Sequence, residues 1–176
     1  MEVIEKGFQR VILASNTLVD TYGKCGNIKE PQNIFNALSI WDIASWNAMI
    51  KGFGINHDGY MAVQCFKCMR KSGLKPDATT FTCLLTACSR ASLLFEGQDL
   101  FQMMSKDFDV VSTIDHFVCM VDLLARSGCL YEAEKLIETL PYCPSNNSWI
   151  TLLSASKTYD EPELGSRCFL QLVNVQ

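Results

Sequence analysis

NAMIKGFGINHDGYMAVQCF, running from Asn47 to Phe66, is a template that the chain repeats in degraded form. The other copies are NTLVDTYGKCGNIKEPQNIF from Asn16, TCLLTACSRASLLFEGQDLF from Thr82, VCMVDLLARSGCLYEAEKLI from Val118 and ITLLSASKTYDEPELGSRCF from Ile150. Their first residues step by 31, 35, 36 and 32, and the closing apolar residues Phe35, Phe66, Phe101, Ile137 and Phe169 step by the same numbers. Two landmarks at opposite ends of the block thus keep one register. A period of about 20 to 50 residues marks stacked supersecondary units, each unable to bury its apolar face without a neighbour.

Within the template, Trp46, Met49, Ile50 and Phe53 fall at i, i+3, i+4 and i+7, the stripe of an amphipathic helix, with Ser45 placed as its N-cap. A break at Asn56 to Gly59 follows. Ala62, Val63, Phe66 and Met69 then draw a second stripe, which Gly73 and Pro76 stop. The first stripe returns as Leu18, Val19 and Tyr22; Phe81, Leu84, Leu85 and Cys88; Phe117, Met120, Val121 and Leu124; and Trp149, Leu152 and Leu153. Four residues before the closing apolar residue stands a small one, Ala62, Gly97, Ala133 or Gly165, which allows close helix approach. Pro31 breaks this in the first copy and moves that helix start later. The predicted fold is all-α, a solenoid of helix-turn-helix repeats.

Charged residues make up 19% of the 176 and net charge is −4. No run of eighteen apolar residues occurs, so no membrane-spanning helix is expected. Met1 to Val11 carries Glu2 and Glu5 and shows neither a secretory h-region nor an acid-poor transit composition. Both ends read as cut, because repeat solenoids close with polar caps, and a fragment or shortened gene product is expected. The nine cysteines are odd in number, and several lie on or beside apolar stripes, as reduced packing residues do. The Asn146-Asn147-Ser148 sequon is discounted on the same ground.

The phrases DIASWNAMIKGFG (Asp42 to Gly54), SGLKPDATTFTCLLTACS (Ser72 to Ser89), IDHFVCMVDLLARSG (Ile114 to Gly128) and WITLLSASKTYDEPELG (Trp149 to Gly165) resemble plant pentatricopeptide repeat (PPR) proteins. The alternating repeat lengths resemble the PLS subclass. That resemblance implies a right-handed superhelical solenoid. It divides the chain into a partial L repeat over 1–11, an S repeat over 12–42, a P repeat over 43–77, an L repeat over 78–113, an S repeat over 114–145 and an E motif over 146–176.

The resemblance implies sequence-specific binding of single-stranded organellar RNA, one base per repeat. The fifth and last residues of a repeat are the implied base readers. Here these are Asn16 with Asp42, and Asn47 with Asp77, a combination that favours uridine in the family. The competing account is that Asn16 and Asn47 merely begin helices while Asp42 and Asp77 cap the following ones. Thr82 with Thr113 and Val118 with Ser145 form no clean pair and receive no base. Leu13 and Ala44 are the implied base clamps, weak ones, and Thr79 and Asp115 are poor at the same position. Lys24, Arg90 and Arg126 share the thirteenth position, and Lys157 lies one earlier in its unit, a basic row suited to phosphates. A cation at a helix C-terminus is favourable by itself, by roughly 0.3 to 1 kcal/mol.

Catalytic and metal-binding motifs are not found. The CxxC of Cys65 and Cys68 falls inside a helix, and His57 and His116 do not supply the two further ligands that zinc needs. The HxE and PCxxC of a DYW cytidine deaminase are absent, as are a Walker loop and GxGxxG. The chain is expected to be no enzyme and to need no cofactor. Trp46 and Trp149 are expected in the core, and Trp41 at a unit boundary stays open. The function implied is site recognition for C-to-U RNA editing in mitochondrion or chloroplast. Residues 146–176 would meet editing-factor proteins or a DYW deaminase supplied in trans. The alternatives are a tetratricopeptide-like protein-binding scaffold and a truncated, non-functional gene product.

Overall fold

The computed structural model describes residues 41–140 and 146–174, together with Thr17. Leu13, Asn16, Lys24 and Pro31 lie outside the described residues. Within them every regular element is an α-helix: α1 (Ile43–Ile55), α2 (Gly59–Lys71), α3 (Ala78–Arg90), α4 (Leu94–Lys106), α5 (Ile114–Arg126), α6 (Leu130–Glu138), α7 (Asn146–Thr158) and α8 (Pro162–Asn174). They form four hairpins. The first helices α1, α3, α5 and α7 stack on one another in a row. Each of α2, α4 and α6 lies against its own first helix and against the first helix of the next hairpin, while α8 packs on α7. The expected all-helical solenoid is thus what the chain builds, as two layers of helices.

The apolar register explains this arrangement. Trp46, Met49, Ile50 and Phe53 are all buried, and Phe81, Leu84, Leu85 and Cys88 are fully so. Helix α5 divides its stripe, giving Met120 and Leu123 to the core shared with the preceding hairpins and Val121, Leu124 and Ala125 to the core shared with α7 and α8. A first helix therefore needs a neighbour on both sides. In the described hairpins the closing apolar residues Phe66, Phe101 and Ile137 pack toward the fourth residue of the next first helix. The Phe66 and Phe81 rings meet edge-on at 5.8 Å and those of Phe101 and Phe117 at 5.4 Å. Ile137 and Trp149 share the second core in the same way. A fully buried side chain among them, such as Phe66, Phe81 or Ile137, contributes about 1.5 to 3 kcal/mol. Trp46 and Trp149 are core residues as expected, and Trp41 is half-buried against the first core. On the outer layer the Arg70 guanidinium lies over the Phe66 and Phe108 rings, at 5.9 and 5.2 Å.

Close approach is carried by the small residues. A Cβ on Gly97 of α4 would sit 2.2 Å from Cδ2 of the fully buried Leu123, and one on Gly54 of α1 would sit 2.9 Å from the Ala87 Cβ of α3. Helix starts differ from the expectation at one residue. Ser45 is not the N-cap of α1; Asp42 is, in extended backbone, and its side chain accepts the Ser45 N–H. The carboxylate reaches the third helical residue, and this moves the start three residues earlier. Gly59, placed in the break, is instead the first residue of α2, which Asp58 caps.

Candidate functional site

Among the described residues, depressions open on the exposed face of the first-helix layer. One, of about 490 Å³, lies between α1 and α3 and is lined by Ala44, Asn47, Lys51, Asp77, Thr79 and Cys83, among others. Ala44, Asn47 and Lys51 stand at i, i+3 and i+7 of α1, and Asp77 and Thr79 at the start of α3. Both members of the Asn47–Asp77 pair and both clamp positions, Ala44 and Thr79, therefore converge on one concavity. Asp42 is exposed at the cap of α1, away from this group, and its partner Asn16 lies outside the described residues.

Asp77 does cap α3. Its Oδ1 accepts the Thr80 N–H at 2.8 Å, and the Asp77 N–H donates to Thr80 Oγ1 at 3.1 Å, a closed capping box. The same Oδ1 accepts the Asn47 Nδ2–H at 3.2 Å and faces the Thr80 hydroxyl at 2.8 Å. That hydroxyl lies 2.7 Å from Asn47 Oδ1. Burial alone would raise the Asp77 pKa; the hydrogen bonds from the Thr80 backbone and hydroxyl and from the Asn47 amide outweigh it and hold the carboxyl below the usual carboxylate range. Capping and reading are therefore compatible, because the cap engages Oδ1 alone. Asn47 is 8% exposed, so a ligand meets only an edge of its amide.

The second depression, of about 530 Å³, lies between α5 and α7 with Arg90 of α3 at its rim, and collects Arg90, Arg126, Asp122, Thr151, Ser154 and Tyr159 among its walls. Arg90 and Arg126 of the expected basic row are brought together, whereas Lys157, exposed in the last turn of α7, is not part of the lining. Arg126 is held by Asp122 on its own helix at 3.0 Å, and Asp122 in turn accepts the Ser89 hydroxyl. Tyr159 donates its hydroxyl to the Arg126 carbonyl at 2.7 Å. The row is thus interrupted by an acid that takes up one of its charges.

Three residues of this face escape a reading by repeat position. Lys51 sits beside the Asn47–Asp77 depression. Thr80 bridges that pair. His116 is fully buried at the third position of α5, where Nδ1 accepts the Thr113 N–H at 3.0 Å. Its Nε2 therefore carries the proton and donates to the Ala78 carbonyl at 2.9 Å. The signal lay in the spacing Asp42-x-x-Ser45, Asp77-x-x-Thr80 and Thr113-x-x-His116, a cap followed three residues on by a polar partner. The Cys65 and Cys68 thiols separate, one buried and one exposed. Among the described residues no group of three or more His, Cys, Asp or Glu is placed to hold a metal, and no helix is long and apolar enough to cross a membrane.

Stacked helical hairpins whose first helices form one open face define a helical repeat solenoid. The comparisons give its kind. The model described as PPR repeat family matches residues 41–90, and that described as PPR repeat matches 79–107 and 115–141, together more than half of the chain. Two pentatricopeptide repeat-containing proteins of Arabidopsis thaliana are 39% and 40% identical over 91% and 93% of this chain, and another, named chloroplastic, is 36% identical over 98%. The chain carries PPR repeats, is a homologue of these plant proteins and belongs to the pentatricopeptide repeat family. It spans 27%, 30% and 24% of the length of those three relatives. Its fold matches that of the pentatricopeptide repeat protein PPR10, solved in complex with an 18-nt psaJ RNA element, at a TM-score of 0.79 and 17% identity, over 92% of this chain and 25% of that one. The PPR domain of Arabidopsis thaliana protein-only RNase P 1, solved in complex with tRNA, matches at 0.66 and 16% identity, over 92% and 89%.

Proposed function

We propose that this chain binds single-stranded RNA along the face formed by its first helices, and that the depression between α1 and α3 receives one base. The observation that carries this is the convergence of Asn47, Asp77, Ala44 and Thr79 on one open concavity. Asp77 Oδ2, which the cap leaves unused, accepts N3–H of a uracil, and Asn47 donates to a uracil carbonyl; cytosine places an acceptor where uracil has that N–H. The neighbouring base falls to Asn16 and Asp42, so two adjacent uridines are read. The RNA-bound state of the structural neighbours and the name of the chloroplastic relative support RNA and an organelle as the setting. The finer reading is a PLS-type repeat tract whose segment 146–176 is an E motif, targeting a transcript for C-to-U editing by a deaminase supplied in trans. The test is anisotropy of a labelled strand carrying UU against strands with each uridine in turn replaced by C, with wild type and Asp77→Asn. Preference for U at one position, moved toward C by the substitution, is the expected result. A helical, monomeric protein that binds neither strand at low salt overturns the proposal.

One feature favours a protein-binding scaffold instead. Tyr60, Phe95 and Tyr131, each the second residue of a second helix, are 64%, 77% and 55% exposed at one register of three successive hairpins. A protein ligand together with indifference to RNA in the same assay would select that reading.

A further inference from the structure

We propose that Thr80 is the positioning residue that fixes which way the Asn47 amide faces, and so decides uracil against cytosine in the depression between α1 and α3. The proposal rests on the reading of Asn47 and Asp77 given above.

The argument is one of donors and acceptors. An ionised carboxylate accepts only, so Asn47 turns Nδ2 toward Asp77 Oδ1. Its Oδ1 then faces the Thr80 hydroxyl, whose own oxygen already accepts the Asp77 N–H. The one hydroxyl proton is then shared between Asn47 Oδ1 at 2.7 Å and Asp77 Oδ1 at 2.8 Å, and a circuit closes: Asp77 N–H to Thr80 Oγ1–H to Asn47 Oδ1, and Asn47 Nδ2–H back to Asp77 Oδ1, which also takes the Thr80 N–H. In this circuit the amide oxygen is turned toward Thr80 within a residue that is almost wholly buried, and what Asn47 offers a base is its second N–H, a donor. With Asp77 Oδ2 on the N3 edge of the base, a donor beside it matches O4 of uracil and opposes the N4 amino group of cytosine. The opposite amide orientation would present an oxygen, the partner of the cytosine N4 amino group. Thr80 is fully buried and touches no base itself; it acts through Asn47. The same register in other first helices is wired differently. Ser45 gives its hydroxyl to Asp42 Oδ1 at 2.7 Å, and His116 turns to the Ala78 carbonyl. Among the described residues, Thr80 is where the cap carboxylate and the fifth-position amide are joined by one hydroxyl.

The experiment uses the purified full chain and labelled strands carrying UU or one C at each uridine in turn, with wild type, Thr80→Val, Thr80→Ser and Asp77→Asn, and circular dichroism melts alongside. Wild type is expected to prefer U by about tenfold at one nucleotide. Thr80→Val, which keeps the shape and the capping N–H, is expected to bring the ratio to about threefold or less, mainly by tighter binding of the C strand, and Thr80→Ser to restore it. Should Thr80→Val lose its helical spectrum, Thr80→Ala carries the same comparison. A Thr80→Val protein that keeps the wild-type ratio while Asp77→Asn moves it overturns the role of Thr80 and leaves the base reading standing. A wild type without preference, unchanged by Asp77→Asn, overturns the base reading and this proposal with it.

Discussion

At Asp77 one oxygen, Oδ1, gathers the bonds of the capping box and of Asn47, and the division of labour between its two oxygens makes the site sensitive to protonation. The folded pKa is depressed, so the carboxylate's contribution to stability is fully present above the ordinary carboxylate value of about 4 and is lost as pH falls through the folded value. Thermal melts of wild type and Asp77→Asn should therefore differ by a constant amount from pH 8 to about 5 and converge at lower pH. A difference that does not change with acid would mean that the carboxylate gains nothing from its three donors. The thiols give a second contrast at this scale. Burial, with a smaller contribution from Cys68, pushes the Cys65 thiol up to about 12, whereas Cys68 lies exposed one turn away. Iodoacetamide at pH 8 should alkylate Cys68 in the folded protein and reach Cys65 only after denaturation, as peptide mapping by mass spectrometry would record. Equal labelling of both would show that the α2 face is open.

Each described first helix ends in a residue of left-handed conformation, and the chain varies which residue adopts it. Leu93 N–H returns to the Cys88 carbonyl and Ser92 N–H to Ser89, the paired bonds of a Schellman motif, with Ser92 at φ 53°. His57 and Asp160 hold that place at φ 59° and 57° at the ends of α1 and α7, and among the described first helices glycine holds it only after α5, as Gly128 at φ 80°. A non-glycine residue there costs about 1 kcal/mol. Ser92→Gly is expected to raise stability by roughly 0.5 to 1 kcal/mol, visible as a higher urea midpoint at unchanged slope; a lower midpoint would mean that the serine side chain holds the turn. This turn also shows what the sequence made legible. Apolar spacing sufficed for the hairpins, because the stripe from Trp46 to Phe53 and the covering residue Phe66 are fixed by burial that a period of 3.6 reports directly. Caps are harder to read: Ser45 and Asp42 are both capping residue types for the same N–H groups, and only the reach of the Asp42 carboxylate to the Ser45 N–H decides between them. Asn47 and Asp77 were legible only through family register, because no local rule separates an asparagine that starts a helix from one that meets a base. Thr80 and Lys51 were missed because Thr80 bonds across neighbouring hairpins and Lys51 lines the depression between them, about which position within one repeat says nothing.

Over the whole molecule the charge works against an anionic ligand, with a net −4, so any grip on phosphates has to be local. On the described open face Lys51 lines one depression, and Arg90 and Arg126 line the other, where Arg126 forms an ion pair with Asp122 that is half open to solvent. Two or three phosphate contacts on a single strand correspond to a slope of log K against log salt of about −1.4 to −2, since each contact contributes about −0.7. Anisotropy titrations from 50 to 200 mM salt should give that shallow slope, and Arg90→Ala should flatten it by about 0.7. Asp122→Asn acts in the opposite sense: it removes an acid from the face and releases the Arg126 guanidinium, so it should steepen the slope by a similar amount. Arg126→Ala added to Asp122→Asn should then return the slope to the wild-type value, because the charge released is the charge removed. A slope that ignores all three substitutions would place the backbone of the RNA elsewhere on the solenoid, and would leave the depression between α5 and α7 without a part in binding it.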